Sequence, residues 1–226
     1  MTEMSVSQAM KARFSARAFL DKPVPEDVLT DLFDHAALAA SGCNFQPWNV
    51  HVFTGQKKSE LETAVMAKAP ESPLGEGSDI NIYPSNMSGV LRQRRIECGE
   101  LLYSTLGIAR EDKNARMQQT MQNFTFFGAP VGILFTARKG LGEIQYIDYG
   151  IFIQSVMLLA VERGLDTCAQ AFWAMWPNTI RDHLGLEDDE VVACGMSLGY
   201  ADPDHIVNSV DMPRVNISEF LTRHGD

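Results

Sequence analysis

The chain lacks most of the short signatures by which metal proteins and thiol enzymes are identified. Its four cysteines, Cys43, Cys98, Cys168 and Cys194, lie far apart and form no Cys-x-x-Cys pair or Cys/His spacing of the kind that a zinc site needs. The five histidines show no metal-ligand or catalytic-triad spacing either. The sequence therefore predicts no metal site, and it predicts buried free thiols in a reducing compartment.

Three common nucleotide and hydrolase motifs are also missing. The sequence contains no Gly-x-Gly-x-x-Gly, no Gly-x-x-x-x-Gly-Lys-Ser/Thr and no Gly-x-Ser-x-Gly. Rossmann dinucleotide binding, P-loop chemistry and serine hydrolysis consequently lack their minimal signals.

Long apolar runs and positive charge are scarce as well. The most apolar stretch, residues 149–161, is interrupted by Gln154 and Ser155 and is shorter than the ~20 residues of a bilayer span, so we expect a buried helix. The first ten residues lack the basic flank and apolar run of a secretory signal. A net charge of -10 argues against nucleic acid or an anionic membrane as partner. We expect a cytoplasmic protein with a small ligand.

The periodicity of apolar residues predicts a single α+β domain over residues 1–226, with no linker between folding units. Helices are predicted at residues 25–40, 57–68, 87–106, 112–123, 145–163 and 178–184. Strands are predicted at residues 48–53, 131–137 and 191–197, and residues 166–172 form a further part of the core. Residues 70–84 carry glycines and prolines without an apolar period, which is typical of a lid or a dimer arm.

Two N-terminal segments are dense in groups that bind phosphate or the polar edge of a planar heterocycle. In the first, Arg13 and Arg17 flank Ser15, and two guanidinium groups with a hydroxyl between them suit a phosphate monoester. A helix end and a turn are the plain alternative. The second segment offers the hydroxyl of Ser41 and the side-chain amides of Asn44 and Gln46. Gly42 makes its backbone flexible, and Pro47 restricts the backbone at its end.

In this order, the two segments resemble the opening of the FMN-dependent nitroreductase family. The resemblance implies an α+β fold with a central, mostly antiparallel sheet enclosed by helices, in an intertwined homodimer. Arg94-Arg95 before Leu102-Tyr103 resemble the nitrobenzoate reductase branch. The likeness runs nearly the whole chain, through Phe126-Phe127-Gly128-Ala129-Pro130, Asp148-Tyr149-Gly150, Gly164-Leu165-Asp166-Thr167-Cys168, Leu198-Gly199-Tyr200 and Arg214.

By this resemblance FMN is the cofactor. Arg13, Ser15 and Arg214 would hold its phosphate and ribityl chain, and Arg17 would approach the N1/O2 edge, where a cation stabilises the reduced ring. The backbone of residues 169–172 would face N5. The cofactor-binding residues implied in all are Arg13, Phe14, Ser15, Arg17, Ala40, Ser41, Gly42, Asn44, Asn123, Gln170, Ala171 and Arg214.

The resemblance also implies that the site is shared between two subunits, since Ser41, Gly42 and Asn44 match positions that reach the flavin from the second subunit. Two departures from the family pattern stand out. Met212 replaces a lysine that is common in the family, which leaves fewer charges at the phosphate. Either Gln122 or Asn123 supplies the amide that family members place near the ring, and their spacing does not decide between them.

The implied activity is a ping-pong oxidation of NADH or NADPH and reduction of a nitroaromatic or similar electron-poor acceptor. The same scaffold could also serve reductive dehalogenation, enone reduction, flavin fragmentation or flavin binding without catalysis. Arg92, Arg94 and Arg95 bind either a substrate carboxylate or the NADPH phosphate, or they form a solvated basic face. An aromatic cluster forms either a wall beside the flavin or part of the core: Phe172, Trp173, Met175 and Trp176.

Overall fold

A four-stranded antiparallel sheet forms the centre of the protein. The structure, a computed structural model, describes residues 4–225, so the predicted domain limits at residues 1 and 226 lie outside the described residues. The strands follow the order β1-β2-β4-β3, and each pairs antiparallel with its neighbour. This arrangement confirms the predicted α+β class. The strands are β1 Asn49–Thr54, β2 Val131–Arg138, β3 Asp166–Gln170 and β4 Glu190–Gly199.

Seven α-helices surround this sheet within the described residues, and six of them lie where the sequence predicts helices. The first, α1, was not predicted, although Ser5 and Gln8 form a capping box: the Ser5 hydroxyl accepts from the Gln8 N–H and the Gln8 side chain accepts from the Ser5 N–H. The helices are α1 Val6–Ala12, α2 Glu26–Ala36, α3 Gly55–Lys68, α4 Gly89–Thr105, α5 Lys113–Met121, α6 Glu143–Glu162 and α7 Pro177–Leu184.

Strand β2 is buried on both faces, and aromatic residues cover each face. On one side Trp48 stacks on Phe152 of α6 with ring centroids 4.5 Å apart, and on the other Phe126 stacks on Trp173 at 4.2 Å. A Cβ atom at Gly132 would lie 2.6 Å from the Phe126 ring, so the glycine allows the ring to approach the strand. Trp173, and Trp176 beside it, are therefore core residues and form no open aromatic wall.

Helix α6 is buried along one side only, which corrects the prediction of a buried helix. Tyr149, Phe152 and Val156 lie in the core, whereas Ile151, within the stretch predicted to be buried, is 41% exposed. Just before that stretch, Ile144 and Ile147 are 60% and 58% exposed. By length and composition alone α6 could cross a membrane, and only 28% of its most apolar window is buried. Length and composition are weak evidence for a membrane span, because a core helix of a soluble protein can have the same length and apolar composition.

The loop before α4 is fastened to α7. The Glu76 carboxylate accepts hydrogen bonds from the N–H groups of Asn178 and Thr179, at 3.1 and 3.0 Å, where α7 begins. Asp79 pairs with Arg181 of the same helix at 2.9 Å. The carboxylate of a distant loop therefore caps the amino end of α7, and this part of the predicted lid is anchored.

Helix α4 contains no buried residue. Val90 and Leu91 are more than half exposed. The helix is amphipathic only weakly, because three arginines in its first half and two glutamates further on lie among the apolar residues. Side chains of α4 are consequently free to line clefts, as described below.

Candidate active site

The segment between α1 and α2 lies alongside strand β3. The N–H of Ala16 donates to the Thr167 carbonyl at 3.0 Å, and Ser15 and Thr167 form a parallel bridge. The Arg17 N–H donates to the Asn208 side chain at 2.8 Å. Ala16 is fully buried, so it fixes the backbone while its neighbours remain at least partly accessible. The alternation expected of extended chain thus presents Ser15 and Arg17 at the surface.

These side chains line a cleft of about 130 Å³ whose other wall is the segment 210–214. The cleft carries four cationic side chains and one carboxylate, Asp211. The structure brings Arg13, Ser15 and Arg17 together with Arg214, as predicted, although about 200 positions separate them in the chain. The cationic side chains are those of Lys11, Arg13, Arg17 and Arg214.

Lys11 was not among the predicted site residues. It lies in the last turn of α1, the helix that the sequence reading missed, and the capping box at Ser5 was the signal that could have revealed it. Lys11 lines the same cleft as Met212 and adds a cationic side chain to it. The Met212 carbonyl has a different part, because it accepts a hydrogen bond from the Arg214 guanidinium at 2.7 Å.

A second cleft of about 590 Å³ adjoins the first and is bounded by α4. Four residues line both clefts: Ser15, Arg17, Met212 and Arg214. The Arg17 guanidinium, which donates to the Ser15 carbonyl at 3.1 Å, thus lies where the two clefts meet. A volume of this size is typical of small-molecule sites. Its remaining walls are formed by Val90, Gln93, Arg94, Glu97, Cys98, Pro213, Val215 and Glu219.

The three arginines of α4 face two different clefts. Arg94 lines the second cleft, 3.5 Å from the Glu219 carboxylate. Arg92 and Arg95 instead line a separate basic cleft of about 330 Å³, which also contains Arg110, Arg116 and Glu100. The Glu100 carboxylate lies 3.9 Å from Arg110 and 3.7 Å from Arg116, and four guanidinium groups against one carboxylate leave an excess of positive charge.

Asn123 and Gln170 contact each other at the end of β3. The Gln170 amide donates to the Asn123 side-chain oxygen at 3.0 Å, and its own oxygen accepts from the Ser197 hydroxyl at 2.8 Å. Gln170 is buried, and its side chain belongs to this internal network. Gln122 is exposed. Of the two candidate amides, the geometry therefore favours Asn123, because its side chain is fixed by a hydrogen bond from Gln170. Ala171, the next residue after Gln170, is exposed.

The second predicted segment, residues 41–46, lines neither of the two adjoining clefts. Cys43, Asn44 and Gln46 have φ angles of 49°, 56° and 47°, a left-handed conformation that is strained for residues with a side chain. Ala40 and Gly42 are exposed as well. Within one chain, the structure therefore does not bring Ser41, Gly42 and Asn44 to the cationic cleft.

Two of the four thiols are exposed, which corrects the prediction that all are buried. Cys43 lies in the left-handed loop and Cys98 lines the second cleft. Burial raises the pKa of Cys168, which nearby Arg17 lowers to a lesser degree, and burial raises the pKa of Cys194 to about 12. The two inner thiols are therefore protonated at neutral pH and poor nucleophiles.

The sequence of this chain is similar to those of known proteins. Residues 10–200 match the Nitroreductase family. The chain is 40% identical over 203 residues to a 4-nitrobenzoate reductase of Pseudomonas putida, covering 90% of this chain and 88% of the relative. It is 35% identical over 221 residues to a nitrobenzene nitroreductase of Ectopseudomonas oleovorans, covering 98% and 97%.

Solved structures show the same architecture. The FMN- and NADPH-dependent nitroreductase NfnB of a Sphingopyxis strain superposes with a TM-score of 0.96 at 40% identity, covering 99% of this chain and all of that one. NfnB of Mycobacterium smegmatis, solved in complex with NADPH, gives a TM-score of 0.91 at 32% identity over 97% of both chains.

Proposed function

Because this chain belongs to the nitroreductase family, we propose that it is an FMN-dependent oxidoreductase that takes electrons from NADH or NADPH and reduces nitroaromatic compounds. The observation that carries the proposal is the convergence of Arg13, Ser15, Arg17 and Arg214 on one cationic cleft. The names of the relatives, nitrobenzoate and nitrobenzene reductases among them, support the choice of acceptor.

The residues of the cleft fit a phosphate monoester. Guanidinium groups form paired, charge-assisted hydrogen bonds to phosphate oxygens, and Lys11, Arg13 and Arg214 supply a surplus of positive charge for a dianion. The larger cleft that shares Ser15 and Arg17 has the volume for a planar ring system. In this proposal Arg13, Ser15 and Arg214 hold the phosphate and ribityl end of FMN, and Arg17 lies at the ring's polar edge.

The bound flavin would supply the redox chemistry, accepting hydride at N5 and passing electrons to the acceptor. The protein's part is to bind the flavin, to orient its ring and to adjust its reduction potential. Arg17 provides a permanent cation at the junction of the clefts, and a cation there favours the reduced, anionic form. The network of Gln170, Asn123 and Ser197 fixes the end of β3, where the backbone of residues 169–172 would face N5 of the ring. No nucleophilic side chain is needed, because proximity and solvent protons suffice.

We propose further that two copies of the chain complete the site. Helix α6 exposes Ile144, Ile147 and Ile151, and the nearby loop exposes Phe45. A contiguous apolar face of this kind marks an interaction surface, and a two-fold dimer pairs the same face of each copy. The Ser41–Asn44 loop is bonded to α6 through Gly42, so a dimer built on this face carries the loop of one subunit towards the cleft of the other.

The basic cleft of Arg92, Arg95, Arg110 and Arg116 is our proposed site for the 2′-phosphate of NADPH. Arg95 lies over the Tyr83 ring at 4.7 Å, which helps to hold its guanidinium in place. The double variant Arg92→Gln/Arg95→Gln should raise the KM for NADPH about tenfold, with the KM for NADH unchanged. Steady-state kinetics with both donors measures this, and equal changes for the two donors would remove the assignment.

Optical spectroscopy of the purified protein tests the main proposal. The protein should bind FMN, anaerobic NADH or NADPH should bleach the flavin absorption within seconds, and 4-nitrobenzoate should restore it. Bound flavin that neither nicotinamide bleaches would indicate a storage or binding protein. A protein without affinity for FMN would overturn the proposal altogether.

A further inference from the structure

Two consecutive residues of α6, Asp148 and Tyr149, fasten the two ends of the Ser41–Gln46 loop. We infer that they are positioning residues of the cofactor site: they hold this loop in the conformation that contacts FMN bound to the second copy. The inference rests on the proposed function and adds to it the residues through which α6 controls cofactor affinity.

Asp148 holds the upstream end of the loop. Its Oδ1 atom accepts a hydrogen bond from the Gly42 N–H at 3.0 Å, and the whole side chain is only 4% exposed. A bond from a backbone N–H to a carboxylate is charge-assisted and therefore stronger than one between neutral groups. Asp148 thereby determines where the loop leaves the surface of α6.

The other oxygen of Asp148 has no donor within reach among residues 4–225. Oδ2 is buried and unpartnered there, and burying a carboxylate oxygen without a hydrogen bond is unfavourable. Asp148 shares one stripe of α6 with Ile144 and Ile151, the i-4 and i+3 positions, and both of these are exposed. The carboxylate therefore lies just beneath the edge of the apolar face that is proposed to meet the second copy, and it holds the loop at that edge.

Tyr149 holds the downstream end. Its hydroxyl lies 2.8 Å from the Pro47 carbonyl and accepts from the Asn49 N–H at 3.2 Å. It also contacts the Thr136 carbonyl of the central strand. The tyrosine therefore ties the end of the loop and the start of β1 to both α6 and β2.

Between these two anchors the backbone is strained. Cys43, Asn44 and Gln46 are left-handed, and a strained conformation persists only where its surroundings hold it. Inside the loop the Gln46 N–H donates to the Ser41 hydroxyl at 3.0 Å. The anchors on α6 are needed because an exposed loop of this kind has little burial of its own to hold its shape.

The test compares Asp148→Asn with Glu162→Gln, a matched loss of a carboxylate at the far end of the same helix. Full-length protein is stripped of FMN and titrated with FMN, and hydrogen exchange is followed at residues 42–49 and at β2. We expect Asp148→Asn to raise the Kd for FMN about tenfold and to speed exchange at residues 42–49 but not at β2. Glu162→Gln should change neither. Tyr149→Phe, which keeps the packing, should act in the same direction.

These measurements distinguish a protein that does not bind FMN from one that binds FMN without the help of Asp148 and Tyr149. If the wild-type protein does not bind FMN, the proposed function falls and this inference falls with it. If the wild type binds FMN but both Asp148→Asn and Tyr149→Phe bind it with unchanged Kd, the inference alone is overturned. Faster exchange in residues 42–49 without any loss of FMN affinity would also overturn it, because the loop would then be held for folding and not for the cofactor.

Discussion

The two predicted halves of the cofactor site are built in opposite ways. The Arg13–Arg17 segment is bonded through its backbone to β3, with Ala16 buried, and its side chains meet Arg214 within the same chain. The Ser41–Gln46 loop has left-handed residues and exposed side chains, and side chains of α6 hold it. The side chains of the first half meet within one chain, whereas those of the second line neither adjoining cleft and, in our proposal, reach the flavin of a second copy.

This contrast predicts that the cleft and the loop respond differently to substitutions. The cationic cleft should depend on charge and on few residues, because its backbone is held by the sheet. The loop should depend on what lies against α6, because residues 42–46 are exposed among residues 4–225. Four substitutions test the contrast, ordered from the largest expected effect to the smallest.

A charge on the apolar face of α6 should have the largest effect. Ile147→Glu places a carboxylate in the centre of the proposed dimer contact, where it would lose its water without gaining a partner. We expect a monomer in sedimentation equilibrium and loss of nearly all bound FMN. Ile206→Glu is the control, because Ile206 is similarly exposed in another part of the chain. A monomeric Ile147→Glu protein that keeps its flavin would show that the loop is not needed.

Removing one guanidinium from the first half should have the next largest effect. Arg13→Ala deletes a cation of the cleft, and hydrogen bonds to charged groups contribute about 1.5–3 kcal/mol each, so the Kd for FMN should rise about 10- to 100-fold. The dimer should persist. Arg138→Ala is a suitable control, because Arg138 is about half exposed and pairs with Asp189. Wild-type flavin content in Arg13→Ala would remove Arg13 from the site.

The same contrast explains what sequence could predict. The charge density of the Arg-x-Ser-x-Arg segment marks it as a binding segment, and the family resemblance alone places Arg214 with it. The structure places these side chains at one cleft, while their contact with FMN stays a prediction. Lys11 is hard to predict because α1 has only seven residues, and its capping box is the one sequence signal that marks it. The sequence leaves Trp173 and Trp176 ambiguous, because a density of aromatic residues does not say which face is covered. The burial of both rings, and the close approach of Trp173 to Gly195, assign them to the core. The exposed side of α6 was missed because an apolar helix reads the same whether its own core or another chain buries it.

Arg17 should affect the electronics of the site more than binding. It lines both clefts, and removing a cation from the polar edge of the ring destabilises the reduced anionic form. We expect Arg17→Ala to lower the two-electron reduction potential of the flavin by about 30 mV, which corresponds to about 1.4 kcal/mol, with a smaller loss of FMN affinity than in Arg13→Ala. Spectroelectrochemistry measures the potential. An unchanged potential with strongly weakened binding would assign Arg17 to the phosphate instead.

The smallest effect is expected at the hydroxyl inside the loop. Ser41→Ala removes the acceptor of the Gln46 N–H, but this N–H is exposed and water can replace the hydroxyl, so the loss is about 0.5–1 kcal/mol and the Kd for FMN rises only two- to fivefold. Ser59→Ala removes a comparable exposed hydroxyl from α3 and should leave the Kd unchanged. If Ser41→Ala weakened FMN more than Arg13→Ala does, the exposed loop and not the cationic cleft would be the main source of affinity. The ranking of the two halves would then be reversed, because the half that reaches the flavin of a second copy would hold the cofactor more tightly than the half whose side chains meet within one chain.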